Sequence, residues 1–227
     1  MVKIAISWII KGILAKAMFA AVLFLSAGTM HWLMGWVYIG IFLAFDIATA
    51  TLVAPRHPDL LIERTKIGAN TKEWDKVVFR LAAAWGPTFT LIVAGLQYRF
   101  NWLPTIPAVW QWVAAGLTAV GYGMNAWAMT YNAFFAVTAR LQPERGQQVA
   151  TGGPYRTIRH PGYLGATLFS TTTALMLGSV WALIPGVISS GLYVLRTSLE
   201  DKMLQEELAG YKEFTRITRW RLLPGIW

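Results

Sequence analysis

The chain has no cysteine. That removes disulfides, thiolate metal sites and cysteine nucleophiles together. Histidine is scarce as well. His31, His57 and His160 are too few and too scattered to suggest a metal cluster. Charge is thin, at 14% of residues against about 25% in ordinary soluble domains. Acids are the scarcer sign, 11 against 20 Lys and Arg, which leaves a net charge of +9. What fills the space is apolar: 56% of the 227 residues are hydrophobic and twelve are tryptophan. So much apolar surface exceeds what a soluble core of this size can bury. Tryptophan suits the headgroup layer of a bilayer, although several of the twelve could equally pack between helices.

Six stretches approach the roughly 20 apolar residues that a helix needs to cross a bilayer: Ile6–Gly28, Trp36–Val53, Phe79–Gln97, Pro107–Trp127, Tyr163–Leu177 and Trp181–Leu195. Backbone in lipid must satisfy its own hydrogen bonds, so these stretches are expected to be helices. The expected fold is all-α and polytopic, with about six transmembrane helices. The last two are short, form a hairpin and turn at Gly178-Ser179. Pro87 and Pro185 are expected to kink their helices.

Assigned to alternate sides of such a topology, nineteen of the twenty Lys and Arg fall on one face and only Arg99 on the other. The positive-inside rule then puts both termini and every polar motif in the cytoplasm. The positive charge is thus accounted for by topology, and no nucleic-acid partner is expected. Leu25-Ser-Ala-Gly28 has the small residues of a cleavage site. Removing that segment would set the six basic residues between Arg56 and Arg80 against the orientation rule, so the segment is read as a span.

The densest polar sequence lies at Gly152-Gly-Pro-Tyr-Arg-Thr-Ile-Arg-His-Pro-Gly-Tyr-Leu-Gly165, at the mouth of the hairpin. Its glycines allow close backbone approach. Its prolines fix φ and remove donors. Tyr155, His160 and Tyr163 add flat rings and polar atoms. Such a loop suits a heteroaromatic ligand such as adenine, or it simply turns the chain into the membrane while Arg156 and Arg159 meet lipid phosphate. Arg196 and Glu200 stand one helical turn apart. They are either an ordinary surface ion pair or two unpaired charges aimed at ligands. Asp46 sits mid-span, where an ionisable group costs about 2.5–3.5 kcal/mol. It is either functional or held by another helix. Arg56-His-Pro58 repeats part of the loop motif without the following Tyr and Gly, and is read as a turn and helix cap. Lys202–Tyr211 reads as a short amphipathic helix.

The ordered set Thr151-Gly-Gly-Pro-Tyr155, Arg159-His-Pro-Gly-Tyr163 with Gly165, Arg196-x-x-x-Glu200, Gly210-Tyr211 and Arg221-Leu-Leu-Pro224 resembles the isoprenylcysteine carboxyl methyltransferase family and its phospholipid methyltransferase relatives. The resemblance covers about Gln147–Pro224. It implies an S-adenosyl-L-methionine site at the cytosolic face and a lipophilic methyl acceptor. Gln147, Gln148, Val149, Ala150, Tyr155, His160, Pro161, Gly162, Tyr163 and Glu200 would then line the cofactor, and Arg196 would hold a substrate carboxylate. Residues 1–135 would supply substrate access and 136–227 the cofactor region. The family often has a run of glutamates where this chain has Glu200-Asp201-Lys202, which leaves the role of Asp201 open. Two rival readings remain. Membrane sterol and steroid reductases share a similar Arg-His-Pro-x-Tyr loop and use NADPH, and a non-catalytic lipid-binding protein could keep the fold. Length, charge asymmetry and lack of cysteine suit a bacterial inner membrane.

Overall fold

The computed structural model of the protein describes residues 2–65, 68 and 70–227, with side chains from residue 12 onward. Lys66 and the side chains of Lys3 and Lys11, counted above as cytoplasmic charges, lie outside the described residues. Among the described residues the regular secondary structure is helical. It includes α1 (Val2–Ala27), α2 (Leu33–Val53), α3 (Pro58–Glu63), α4 (Glu73–Phe79), α5 (Gly86–Phe100), α6 (Ala108–Tyr131), α7 (Pro161–Met176), α8 (Leu183–Glu207) and α9 (Tyr211–Ile217). All six apolar stretches fall within helices to within two residues at their ends. Two helices, α2 and the continuous run Glu73–Phe100, are long and apolar enough by themselves to cross a membrane, and Gly12–Ala27 is a shorter apolar helix. The other three expected spans fall short for visible reasons. α6 carries Gln111, Asn125 and several glycines, α7 has only 16 residues, and α8 ends in the charged stretch from Arg196 to Glu207.

α6 packs mainly on α7, α1 on α5, and α7 on α8, with α2 against α6. Gly121 and Gly165 set the α6–α7 approach. A Cβ on Gly121 would stand 2.8 Å from the Gly165 carbonyl oxygen, so the two backbones touch as only small residues permit. The outer surface is apolar. Val109, Trp110, Val113, Leu117, Val120 and Trp127 are exposed along α6, and Ile184, Val187, Ile188 and Leu195 along α8. Trp36, Trp102, Trp112 and Trp181 are likewise exposed, whereas Trp32 is buried.

The two expected kinks resolve differently. Before Pro87 the helix widens into a π-turn over Arg80–Trp85, and Gly86 N–H donates to Leu81 O. The Ala82 carbonyl displaced by this turn accepts the Ser189 hydroxyl of α8 at 2.7 Å, so the irregularity is satisfied between helices. Pro185 does not kink α8. It occupies the first turn, where no intrahelical donor is missed.

The expected amphipathic helix over Lys202–Tyr211 is corrected. α8 runs unbroken through Lys202 to Glu207, and the chain turns at Gly210, whose φ of 80° favours glycine. Tyr211 then opens α9. At the first Arg-His-Pro, Pro58 begins α3 and His57 precedes it, in keeping with a turn and cap. His57 Nε2 lies 3.2 Å from the Thr130 carbonyl oxygen. Asp46 is paired with Lys16 of α1, whose ammonium also sits 4.3 Å from the centre of the Phe42 ring. Lys16 is buried within α1, so it is not the loop charge the topology count took it for.

Candidate active site

One cavity of about 320 Å³ joins the polar loops to the interior of the helix bundle. Gln147, Gln148, Val149, Ala150, Tyr155, His160, Gly162, Tyr163, Arg196 and Glu200 all line it. Pro161 does not. It is the buried first residue of α7, where its fixed φ starts the helix. At the other end the lining is aromatic, with Phe19 from α1, Tyr38, Phe42 and Phe45 from α2, Tyr122 from α6 and Phe169 from α7. Tyr122 and Phe169 stack with centroids 4.2 Å apart.

The loop that carries His160 is clamped by the C-terminal segment. Arg159 N–H donates to Trp220 O at 2.8 Å, and His160 N–H to Arg221 O at 3.0 Å. These backbone bonds explain why Arg221-Leu-Leu-Pro224, far away in sequence, belongs with Arg159-His-Pro161.

Asp201 is the hub beneath this loop. Its side chain is fully enclosed. Arg159 donates to it twice, at 2.7 and 3.1 Å. Arg221 donates at 2.9 Å, Gln205 at 2.8 Å and Tyr211 OH at 3.1 Å. His160 Nε2 lies 3.2 Å from the carboxylate. Burial by itself would raise the Asp201 carboxyl. The hydrogen bonds from His160, Arg159 and Arg221 outweigh it and hold the group well below the usual carboxylate range. Burial and the charge of Asp201 push the Tyr211 hydroxyl well above its ordinary value. His160 is thereby fixed in orientation by groups behind the cavity wall.

Arg196 and Glu200 lie on one continuous helix and both reach the cavity, yet they do not pair with each other. Arg196 forms a two-pronged bond to Asp75 of α4, Nε to Oδ1 at 2.6 Å and Nη2 to Oδ2 at 2.8 Å. Nη2 also donates to the Val137 carbonyl at 2.8 Å. Asp75 in turn accepts the Ala139 N–H at 2.5 Å. The guanidinium lies 5.2 Å from the Tyr163 ring centre and 5.4 Å from that of Phe79. The fork that would grip a substrate carboxylate is therefore occupied by Asp75. Among the described residues only Nη1 lacks a hydrogen-bond partner. Glu200 accepts a hydrogen bond from Tyr163 OH. No cation lies within salt-bridge distance of it among the described residues.

The sequence reading missed Asp75 and the part played by Asp201. Asp75 sits in Glu-Trp-Asp-Lys, within a charged loop by sequence. Its partner is 121 residues away, and no local pattern announces such a pairing.

Residues 109–209, from α6 to the end of α8, match the phospholipid methyltransferase family. The matched stretch holds every site residue named from the sequence. No curated protein matches the chain. The likeness is to a methyltransferase family, and it covers less than half of the chain.

Proposed function

We propose that the protein is an S-adenosylmethionine-dependent integral membrane methyltransferase of the isoprenylcysteine carboxyl methyltransferase type, acting on the carboxylate of a lipophilic acceptor. The carrying observation is Glu200, a carboxylate without a cationic partner in a cavity that is polar at one end and aromatic at the other. The lining fits the cofactor. Val149, Ala150, Leu204 and Leu208 offer apolar contacts for a purine, and Glu200 offers the negative charge that a sulfonium needs. When bound, S-adenosylmethionine supplies a methyl group on a positively charged sulfur, which a carboxylate oxygen can accept with one C–O bond formed, one C–S bond broken and no proton released. A carboxylate with a pKa near 4 is already ionised at neutral pH, so no base is required of His160 or Tyr163. The chain's work is to position the reactants and to exclude water. Arg196 contributes by holding the Tyr163 ring and, through Tyr163, the Glu200 carboxylate.

We further propose six membrane crossings with both termini cytoplasmic. Residues 1–135 supply the acceptor trough and 136–227 the cofactor end. The reductase reading is weaker on a specific ground. NADPH carries three phosphates. Of the four arginines that line the cavity, three are already met by carboxylates, Arg140 by Glu63 and Glu144, Arg159 by Asp201 and Arg196 by Asp75, which leaves one for three phosphates.

Glu200→Gln tests the assignment. The substitution keeps an acceptor for Tyr163 and removes the charge. Affinity for S-adenosylmethionine is expected to fall about tenfold, equivalent to about 1.4 kcal/mol, while affinity for S-adenosylhomocysteine, whose sulfur is uncharged, changes by less than about threefold. Equal losses for both ligands would show that Glu200 does not face the sulfonium.

A further inference from the structure

Arg64 follows α3 and lines the same cavity as Arg196. Its Nη1 donates to the Phe135 carbonyl at 3.2 Å, and the guanidinium lies 5.4 Å from the Phe135 ring centre. Four arginines line the cavity. Arg140 is met by Glu63 and Glu144, Arg159 by Asp201, and Arg196 by Asp75. None of the chain's eleven acids meets Arg64, and all eleven lie among the described residues. Burial and the neighbouring Arg196 guanidinium pull Arg64 down to about 10, which leaves it cationic at neutral pH. Arg64 is half-buried, and a guanidinium withdrawn from water without an anion is costly to keep. Arg64 shares its cavity with the aromatic side chains of Phe42, Phe45 and Tyr122.

We infer that Arg64, rather than the fork of Arg196, binds the acceptor's carboxylate, so that the acceptor is an anionic amphiphile with its hydrocarbon chain at the aromatic end of the cavity. This rests on the methyltransferase reading. The two uncompensated charges of the lining then have complementary partners, Glu200 for the sulfonium and Arg64 for the acceptor. A protonated amine head would meet Arg64 as a like charge.

The test is equilibrium binding of radiolabelled palmitate and hexadecanol to the full chain in detergent, with S-adenosylhomocysteine binding measured on the same samples. Wild type is expected to bind palmitate at least about tenfold more tightly than hexadecanol. Arg64→Gln is expected to remove that preference, the size of effect expected for one charge-assisted hydrogen bond. It should leave hexadecanol and S-adenosylhomocysteine within about threefold of wild type. Arg64→Lys, which keeps the charge without the fork, should retain part of the preference. No palmitate preference in wild type, or an unchanged preference in Arg64→Gln, overturns the assignment. Loss of S-adenosylhomocysteine binding in wild type would instead overturn the methyltransferase reading. Should Arg64→Gln not fold, the wild-type preference and the Arg64→Lys ratio decide alone: full retention of the preference in Arg64→Lys contradicts a two-pronged grip on the carboxylate.

Discussion

Asp201→Asn is expected to destabilise the protein by about 3–5 kcal/mol, the cost of removing one partner from a buried ion cluster. The substitution is nearly isosteric, so the loss is electrostatic. Arg159 and Arg221 lose their counter-charge, and the loop carrying His160 loses the group that ties it to α8 and α9. Thermal melting in detergent, followed by tryptophan fluorescence, reads the change. The same residue gives an acid dependence with a definite sign. Its carboxyl titrates lower in the folded protein than the unfolded value of about 3.9. Its contribution is therefore complete above about pH 4 and declines as the pH falls further. Asp201→Asn should lack that part of the acid-side loss. A melting temperature unchanged by the substitution would show that the cluster does not hold the site together.

The second large effect belongs to the Asp75–Arg196 pair. Asp75→Asn and Arg196→Met are each expected to cost about 3–5 kcal/mol, because each leaves an enclosed charge without its partner. The double variant should be more stable than the sum of the single losses predicts, since neither orphaned charge remains, and the difference is the coupling energy. Melting of all four proteins gives the cycle. A different result, in which Arg196→Met melts like wild type and loses only acceptor binding, would return Arg196 to the role of substrate grip.

The contrast between these residues shows what the sequence made legible. Apolar runs located every long helix, because long uninterrupted apolar sequence favours backbone that satisfies its own hydrogen bonds. The glycine- and proline-rich loop announced itself by local chemistry, and ten of the eleven candidate site residues line one cavity. Charge partners were not legible. The spacing of Arg196 and Glu200 fitted either a mutual pair or two charges aimed at ligands, and in the structure one bonds Asp75 and the other Tyr163. Arg64 follows Glu63 in sequence, and Glu63 bonds Arg140 instead. Such pairings depend on which helices meet, and spacing along one helix carries no record of that. Helix boundaries failed at Lys202–Tyr211 for a related reason. Amphipathic spacing continues to Tyr211, whereas the backbone leaves the helix at Leu208, which is extended, and turns at Gly210 with its positive φ.

The most direct test of the central claim is calorimetry on the detergent-purified wild-type protein, titrated separately with S-adenosylhomocysteine and NADPH. The account predicts saturable binding of S-adenosylhomocysteine and none of NADPH. Binding of NADPH in place of S-adenosylhomocysteine would contradict it and assign the cavity to reductive chemistry.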